Sequence, residues 1–223
     1  MQKRKSDSIK IAVFDVDGTF LYNTSAEILL VRFLRKKGLL PFFNFIKTIL
    51  WLFRMFPLDP LEATLKNKMF LKGILQADIL CGLPEFYEMY LKPNLYMPLY
   101  YRMRELQREG YRIIFISATL DFILDFIIDE LDADGGMAAN MVVRKGRFTG
   151  MLTGIYPYYR GKVRALDHYL MNQEVDYRQS YAFADRWEDI PLLERFGHPI
   201  AVNPTRRLRK EANRRGWVIQ EQI

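Results

Sequence analysis

The chain of 223 residues has very few of the side chains that form disulfides or bind transition metals. It contains one cysteine, Cys81, and two histidines, His168 and His198. A single cysteine excludes an internal disulfide and fits a reducing cytoplasm, and without a neighbouring histidine it suits packing better than nucleophilic chemistry. Because the two histidines lack the spacing of a metal site, the sequence also argues against a histidine-ligated metal.

Long apolar runs, internal repeats and low-complexity segments are also missing from the sequence. Residues 9–14 are too short for the apolar core of a secretory signal, so we expect no cleavable signal. The apolar segment 41–56 is too short, and too interrupted by polar residues, to span a bilayer. We therefore expect a cytoplasmic protein, with membrane association as an open alternative.

Acidic residues are fewer than basic ones, with 26 Asp and Glu against 33 Lys and Arg and a net charge of +7. Such a balance permits attraction to nucleic acid or to an anionic membrane. No zinc-finger spacing, helix-turn-helix signature or paired aromatic RNA motif accompanies it. Much of the excess lies near the two ends, at Lys3, Arg4, Lys5, Arg206, Arg207, Arg209, Lys210, Arg214 and Arg215. We interpret these residues as solvated surface and predict no nucleic-acid partner.

The sequence does contain short apolar runs that alternate with helical patterns. The runs, at residues 9–14, 112–116, 181–184, 199–202 and 217–219, are typical of strands covered on both faces. Helical patterns cover residues 120–131, 161–171, 189–196 and 204–215, and residues 141–150 indicate a hairpin. This alternation predicts an α/β fold with a doubly wound, parallel, Rossmann-like sheet.

Residues 24–96 interrupt the alternation, because they are nearly all helical in pattern and separate the first strand from the second. A crossover connection needs only about a dozen residues. We therefore predict an all-helical cap subdomain over residues 24–96, inserted into a core that comprises residues 1–23 and 97–223.

One predicted helix of this insertion, residues 41–56, is unusually apolar. Its polar side chains occupy one narrow stripe of the helical wheel, and Phe, Ile and Leu fill the rest. Three interpretations remain open. The helix is buried in the core of the insertion, it forms the contact of a homodimer, or it contacts a membrane surface or a lipid substrate. We accordingly expect either a monomer or a homodimer.

Reactive side chains follow several of the predicted strands. Asp15 and Asp17 come after the first strand, and Ser117 and Ala118 after the second. Lys162 begins a helix, and Asp185, Arg186, Glu188 and Asp189 follow the strand at 181–184. Ligands of open α/β sheets bind at the carboxyl ends of the strands, so we expect these groups to converge there. Clustered carboxylates require a cation, and oxygen ligands of this kind suit Mg²⁺ beside a substrate phosphate.

The motifs DVDGT, SAT, GK and ADRWEDIPLL, in this order, resemble those of the haloacid dehalogenase superfamily of phosphatases. The resemblance extends over nearly the whole chain from residue 9, and it is strongest to the branch that contains phosphoserine phosphatase. It implies a Mg²⁺-dependent hydrolysis of a small-molecule phosphomonoester through an aspartyl-phosphate intermediate. The helical insertion looks like the type-1 cap of that superfamily.

The resemblance also implies a role for each matched residue. Asp15 would be the nucleophile, and Asp17 would protonate the leaving group and then activate water. Ser117, the Ala118 N–H and Lys162 would hold the phosphoryl oxygens. Mg²⁺ would be bound by Asp15, by Asp185, by Asp189 and by the backbone carbonyl of Asp17.

Three positions depart from the pattern of phosphoserine phosphatases and argue against phosphoserine as the substrate. Arg186 adds a cation that would contact a second anionic group of a substrate or point to solvent, and Glu188 replaces an asparagine. Thr24 stands where those enzymes have a substrate-binding glutamate. The alternatives are therefore an unassigned phosphomonoester, phosphoserine and a lipid phosphate of the phosphatidylglycerol phosphate type. A binding protein without turnover fits less well, because the core motifs are intact.

Overall fold

The centre of the fold is a seven-stranded sheet. The computed structural model describes residues 8–58 and 60–221, with the backbone alone at residues 61 and 62, so the basic cluster at Lys3 to Lys5 lies outside the described residues. The strands are β1 (Ile11–Phe14), β2 (Asp17–Gly18), β3 (Leu21–Tyr22), β4 (Arg112–Leu120), β5 (Gly135–Arg144), β6 (Arg147–Thr153), β7 (Tyr181–Ala184), β8 (His198–Val202) and β9 (Val218–Gln220). The sheet order is β6-β5-β4-β1-β7-β8-β9, and β2 pairs with β3 separately.

Every neighbouring pair in the large sheet is parallel except the β5–β6 hairpin. The helices are α1 (Ala26–Lys36), α2 (Phe42–Met55), α3 (Pro60–Leu65), α4 (Gln76–Phe86), α5 (Met97–Arg108), α6 (Asp121–Glu130), α7 (Arg160–Tyr169), α8 (Ile190–Leu193) and α9 (Arg206–Arg215). The predicted doubly wound parallel sheet is thereby confirmed.

Strand β1 is buried on both faces and separates two layers of the core. Ile11 and Val13 pack among apolar residues of α7, α8 and α9. Phe14, on the opposite face, packs with residues of α5 and α6, and its ring stacks on that of Phe183 with centroids 4.5 Å apart. Side chains of successive strand residues point to opposite faces, so a strand between two helical layers must be apolar throughout.

The segment between β3 and α5 is mainly helical and is joined to the β5–β6 hairpin. The Gly73 N–H donates to the Phe148 carbonyl at 2.8 Å, and the Phe148 N–H donates to the Ile74 carbonyl at 3.0 Å. The Gln76 N–H donates to the Gly146 carbonyl at 2.9 Å. The sequence predicts the hairpin but gives no sign of this pairing, which ties the inserted segment to the edge of the sheet.

Helix α2 does not bury its apolar residues, so the first of the three interpretations of segment 41–56 is wrong. Asn44 is its one buried residue, and Phe43 and Phe53 are 70% and 72% exposed. Among the described residues, no helix combines the length and apolar character needed to cross a membrane.

Two further elements differ from the sequence predictions. The sequence patterns above do not include α5, and β5 begins at Gly135, several residues before the predicted hairpin. The first half of β5 contains mainly Gly and Ala, which have little intrinsic β-propensity. Its parallel pairing with β4 determines its conformation instead.

Candidate active site

The candidate site lies where the strand order reverses. From β1 the chain passes to β4 on one side, and it later returns to β7 on the other side of β1. The connections at such a point diverge to opposite faces of the sheet, which leaves a crevice outside the carboxyl ends of the strands. Asp15 directly follows β1 and Asp185 directly follows β7, so both border this crevice.

The loop after β1 holds Asp15 and Asp185 close together. The Asp15 N–H donates to the Phe183 carbonyl at 3.0 Å. The Thr19 hydroxyl lies 3.3 Å from Asp15 Oδ2 and 3.1 Å from Asp185 Oδ1, and it donates between these two carboxylates. At Gly18 the backbone has φ of +84°, and a Cβ there would lie 2.4 Å from Asp185 Oδ2. Only glycine satisfies both the turn and this close approach.

Three buried carboxylates and one ammonium group form the centre of the site. Carboxylate oxygens of Asp15, Asp185 and Asp189 all lie within 4.8 Å of one another. Lys162, in the first turn of α7, places Nζ 2.7 Å from Asp15 Oδ1 and 2.5 Å from Asp189 Oδ1. One ammonium charge therefore faces three carboxylates, which leaves the cluster negative when all three are ionised.

The pKa values reflect this uncompensated charge. Burial, reinforced by the charges of Asp15 and Asp189, raises the pKa of Asp185 to about 8. Burial also raises the pKa of Asp189 to about 6, although the Lys162 charge opposes the rise. Burial lowers the pKa of Lys162, but the charges of Asp15 and Asp189 outweigh that effect and the pKa is raised overall. Lys162 therefore stays charged, whereas Asp185 and Asp189 resist ionisation unless a further cation approaches.

Asp17 has a separate environment at the start of α1. Its Oδ1 accepts a hydrogen bond from the Ala26 N–H at 2.8 Å. Burial raises the pKa of Asp17 to about 7, against the lowering effect of that hydrogen bond. The side chain is therefore held in one position, and its pKa lies near neutral pH.

Ser117 and Ala118 lie in an irregular part of β4. The register between β4 and β5 shifts between Ile116 and Leu120, and Ser117 Oγ accepts a hydrogen bond from the Thr119 N–H at 3.3 Å. Strand irregularities of this kind often redirect side chains beside functional sites. Both residues border the same cavity as Asp15.

Arg186 and Glu188 lie at the rim of this cavity. The Arg186 side chain is 58% exposed, and its Nε lies 3.6 Å from Asp185 Oδ2. Glu188 Oε1 accepts a hydrogen bond from the Tyr158 hydroxyl at 3.1 Å. Arg186 therefore reaches both the carboxylate cluster and solvent, whereas Glu188 is held by a tyrosine.

The cavity has a volume of about 460 Å³ and is lined by eight of the nine predicted site residues, all but Asp185. It also contains residues that the sequence did not single out, namely Glu27, Lys68, Tyr156 and Tyr158. Lys68 is buried, and its Nζ lies 2.5 Å from Glu27 Oε1. These residues reach the cavity through tertiary packing. The exception is Glu27, which lies three residues beyond Thr24, in the first turn of α1 and close to the first motif.

The donor set fits Mg²⁺. Among the residues that line the cavity, five are carboxylates and three are basic. Mg²⁺ prefers oxygen ligands, commonly one or two carboxylates completed by water and a substrate phosphate. The carboxylates of Asp15, Asp185 and Asp189 have the type and proximity that such an ion requires.

Several characterised and uncharacterised proteins are similar in sequence. A probable phosphatase of Mycobacterium tuberculosis is 36% identical over 110 residues, which cover 49% of this chain and 38% of that protein. A histidinol-phosphatase of Neisseria meningitidis is 26% identical, with 94% of this chain and 97% of that protein covered. The M. tuberculosis protein is one of three curated relatives for which the match covers only 38% to 47% of the relative, so this chain spans less than half the length of each of the three.

Solved structures share the fold. A Bordetella pertussis protein of unknown function superposes with a TM-score of 0.81 at 24% identity, covering 96% of this chain and 98% of that one. A phospho-aspartyl intermediate analogue of phosphoserine phosphatase superposes with a TM-score of 0.65 at 17% identity, covering 96% and 94%. The sequence profile of the haloacid dehalogenase-like hydrolases matches residues 12–194. The chain belongs to the haloacid dehalogenase-like hydrolase family.

Proposed function

We propose that this protein is a Mg²⁺-dependent phosphomonoester hydrolase that forms an aspartyl-phosphate on Asp15. The observation that carries the proposal is the meeting of Asp15, Asp185 and Asp189, whose carboxylate oxygens lie within 4.8 Å of one another, with the Lys162 ammonium between Asp15 and Asp189. A phosphate dianion could not enter so negative a site unless a divalent cation offset the carboxylates. Family membership supports the same reaction class.

The chemistry divides between two aspartates. Asp15 attacks phosphorus, the bond from phosphorus to the alkoxide breaks, and Asp17 gives its proton to the departing alkoxide. Asp17 then takes a proton from a water molecule, which attacks phosphorus and releases inorganic phosphate from Asp15. The pKa of about 7 at Asp17 suits both transfers, because either protonation state is accessible near neutral pH.

The remaining polar groups would hold the phosphoryl group. Lys162 is fixed between Asp15 and Asp189, so its charge lies next to the attacked phosphorus. Ser117 and the Ala118 N–H would donate to the other phosphoryl oxygens. Asp15, Asp185, Asp189 and the Asp17 carbonyl would bind Mg²⁺, which supplies positive charge to the phosphoryl oxygens when bound.

We also propose that residues 24–96 act as a cap on a core of residues 1–23 and 97–223. The cavity is lined from both parts, with Asp15 and Lys162 from the core and Glu27, Leu65 and Lys68 from the insertion. A site between two such parts can exclude water when they close. Specificity would then reside in the insertion.

The residues that the insertion contributes to the cavity lining bear on which leaving group the substrate carries. The ammonium of Lys68 is already paired with Glu27 at 2.5 Å, so it is not a free site for a substrate carboxylate. Phosphoserine would have to separate this pair, whereas a leaving group without a carboxylate would not. This pairing favours a phosphomonoester other than phosphoserine, and the similarity to a histidinol-phosphatase makes histidinol phosphate a specific candidate. The exposed apolar face of α2 favours a lipid phosphate as the second candidate.

A substrate panel tests the proposal. Phosphate release from phosphoserine, histidinol phosphate and phosphatidylglycerol phosphate would be measured with Mg²⁺ and with a chelator. We expect Mg²⁺-dependent turnover, least efficient for phosphoserine, and Lys68→Met should not selectively impair a substrate that lacks a carboxylate. Efficient turnover of phosphoserine alone would contradict the substrate argument, and absence of Mg²⁺-dependent turnover with every ester would contradict the proposed reaction.

A further inference from the structure

Helix α2 has its polar side against the protein and its apolar side outward. Asn44 is 1% exposed, and its amide donates to the carbonyls of Phe70 and Lys72, both at 2.9 Å. The Asn67 amide donates to the Thr48 carbonyl, also at 2.9 Å. The helix is thus fixed to the following segment by hydrogen bonds from amide side chains, and this orientation directs its large apolar side chains away from the protein.

The outward face is continuous along the helix. Five of its side chains, and that of Phe56 directly after its last residue, are between 52% and 73% exposed, namely Phe42, Phe43, Ile49, Leu50, Phe53 and Phe56. Their spacing of three, four and seven residues places them on one side of the helix, opposite Asn44 and Thr48. A contiguous exposed apolar face of this kind marks a contact with a partner or a membrane.

The segment that carries this face is predominantly basic. Between residues 28 and 58 the sequence contains six basic residues and no acidic one, and the first acidic residues that follow are Asp59 and Glu62. Arg54 and Lys47 are exposed on α2 itself, and Arg32, Arg35 and Lys36 are exposed on the preceding helix α1. The helix with the apolar face therefore carries two exposed cations and belongs to a segment with a basic excess, as in helices that lie on anionic membranes.

This charge pattern decides between a second copy of the chain and a membrane. A twofold contact through α2 would place the same patch of both copies together and would bring their cations close to each other. An anionic lipid surface instead offers headgroups to the cations and acyl chains to the aromatic face. Spanning is excluded for α2, because 14 residues extend only about 21 Å as a helix.

We propose that α2 docks in the interfacial plane of an anionic lipid membrane, with its phenylalanine-rich face inserted among the acyl chains. This inference does not depend on the reaction proposed for the cavity at the carboxyl ends of the strands. It would make the protein a peripheral membrane protein.

Co-sedimentation with vesicles tests the proposal. The full chain would be mixed with vesicles of phosphatidylcholine containing phosphatidylglycerol, and separately with vesicles of phosphatidylcholine alone. We expect binding to the anionic vesicles that weakens as the salt concentration rises. The triple variant Phe43→Asp, Leu50→Asp, Phe53→Asp should bind at least about tenfold more weakly, because three charges replace inserted side chains. The variant Arg54→Glu should bind the anionic vesicles more weakly than the unmodified protein does, with no change in binding to vesicles of phosphatidylcholine alone.

Matched controls use exposed apolar residues elsewhere on the described surface. Met171 and Val218 are 62% and 59% exposed, so Met171→Asp and Val218→Asp each add one negative charge outside α2. These variants should bind like the unmodified protein. Circular dichroism melting curves would verify that every variant is folded, and sedimentation velocity would measure the oligomeric state.

Three results would overturn the proposal. The unmodified protein sediments with neither type of vesicle at low salt, or the triple variant and the unmodified protein bind equally. Alternatively, the protein forms a dimer that the triple variant dissociates, without any binding to vesicles, which would assign the face to a second copy of the chain.

Discussion

Two regions depart from the usual distribution of polarity in opposite directions. One is helix α2, and the other is the end of the sheet where the central strands β1 and β7 finish, called the sheet edge below. At the sheet edge, Asp15, Asp185 and Asp189 are buried with one ammonium group among them. On α2, phenylalanine and leucine side chains face solvent while Asn44 is buried. Each arrangement is unfavourable in the isolated chain, because buried charge needs a counter-charge and exposed apolar surface needs cover. We therefore propose different partners for the two regions, a divalent cation with phosphate for the sheet edge and a lipid surface for α2.

The largest expected effect concerns Asp15, the proposed nucleophile. Asp15→Asn removes the carboxylate proposed to attack phosphorus while retaining its size, and hydrolysis should fall by at least about 10³-fold. Initial rates of phosphate release, with saturating Mg²⁺, would measure the change. A variant that kept a tenth of the normal rate would exclude Asp15 as the nucleophile, whereas Asp125→Asn, which changes a carboxylate on α6 away from the cavity, should leave the rate unchanged.

The second effect is on stability as a function of pH. The pKa of Asp185 rises from 3.8 to about 8 in the folded state, so the folded protein binds more protons than the unfolded chain between these values. Without divalent cations, the free energy of unfolding should therefore fall as the pH rises from about 4 to about 8. Melting temperatures measured in chelator across this pH range would show the decrease in stability.

Mg²⁺ should reverse this trend, because it stabilises the ionised carboxylates and binds only the folded site. The increase in melting temperature on adding Mg²⁺ should be largest at the high end of the pH range. Asp185→Asn should melt at a higher temperature than the unmodified protein in chelator at pH 8 and should lose most of the response to Mg²⁺. An equal response to Mg²⁺ in both proteins would place the ion elsewhere.

The smaller effects compare the two sides of α2. Asn44→Leu leaves the carbonyls of Phe70 and Lys72 without their donor, and it should lower the free energy of unfolding by about 1 to 3 kcal/mol. Leu50→Ser changes a residue that is 63% exposed and should alter stability by less than about 0.5 kcal/mol. Urea denaturation would compare the variants. The opposite ranking would show that the apolar side of α2 packs against the protein.

The sequence located the sheet-edge residues far better than it oriented α2. Asp15, Ser117 and Asp185 each follow a short apolar strand, so the topology of a parallel sheet brings them together without knowledge of side-chain packing. Periodicity identifies the apolar face of a helix, but it does not say whether that face meets a core or solvent. The burial of Asn44 depends on carbonyls of residues 70 and 72, which only the folded insertion brings near it.

The cavity wall contributed by the insertion was unpredictable for a related reason. Lys68 and Glu27 are 41 residues apart and meet through the packing of the insertion, with no local motif to mark them. Tyr156 reaches the cavity from a loop before α7, where its hydroxyl donates to the Leu65 carbonyl at 3.1 Å. The topology of the sheet thus brings together the residues at the ends of its strands, whereas the rest of the cavity lining is assembled by contacts between distant segments.

Trapping of the covalent intermediate tests the central claim about the sheet edge most directly. Asp17→Asn would be mixed with p-nitrophenyl phosphate and Mg²⁺, because this leaving group needs no proton while the later attack of water still requires a base. Borohydride reduction of the quenched protein converts an aspartyl-phosphate to homoserine, which peptide mass spectrometry detects. We expect homoserine at position 15 in the presence of Mg²⁺ and none in Asp15→Asn. Rapid release of p-nitrophenol with no homoserine at position 15, or with the modification at another carboxylate, would contradict the account.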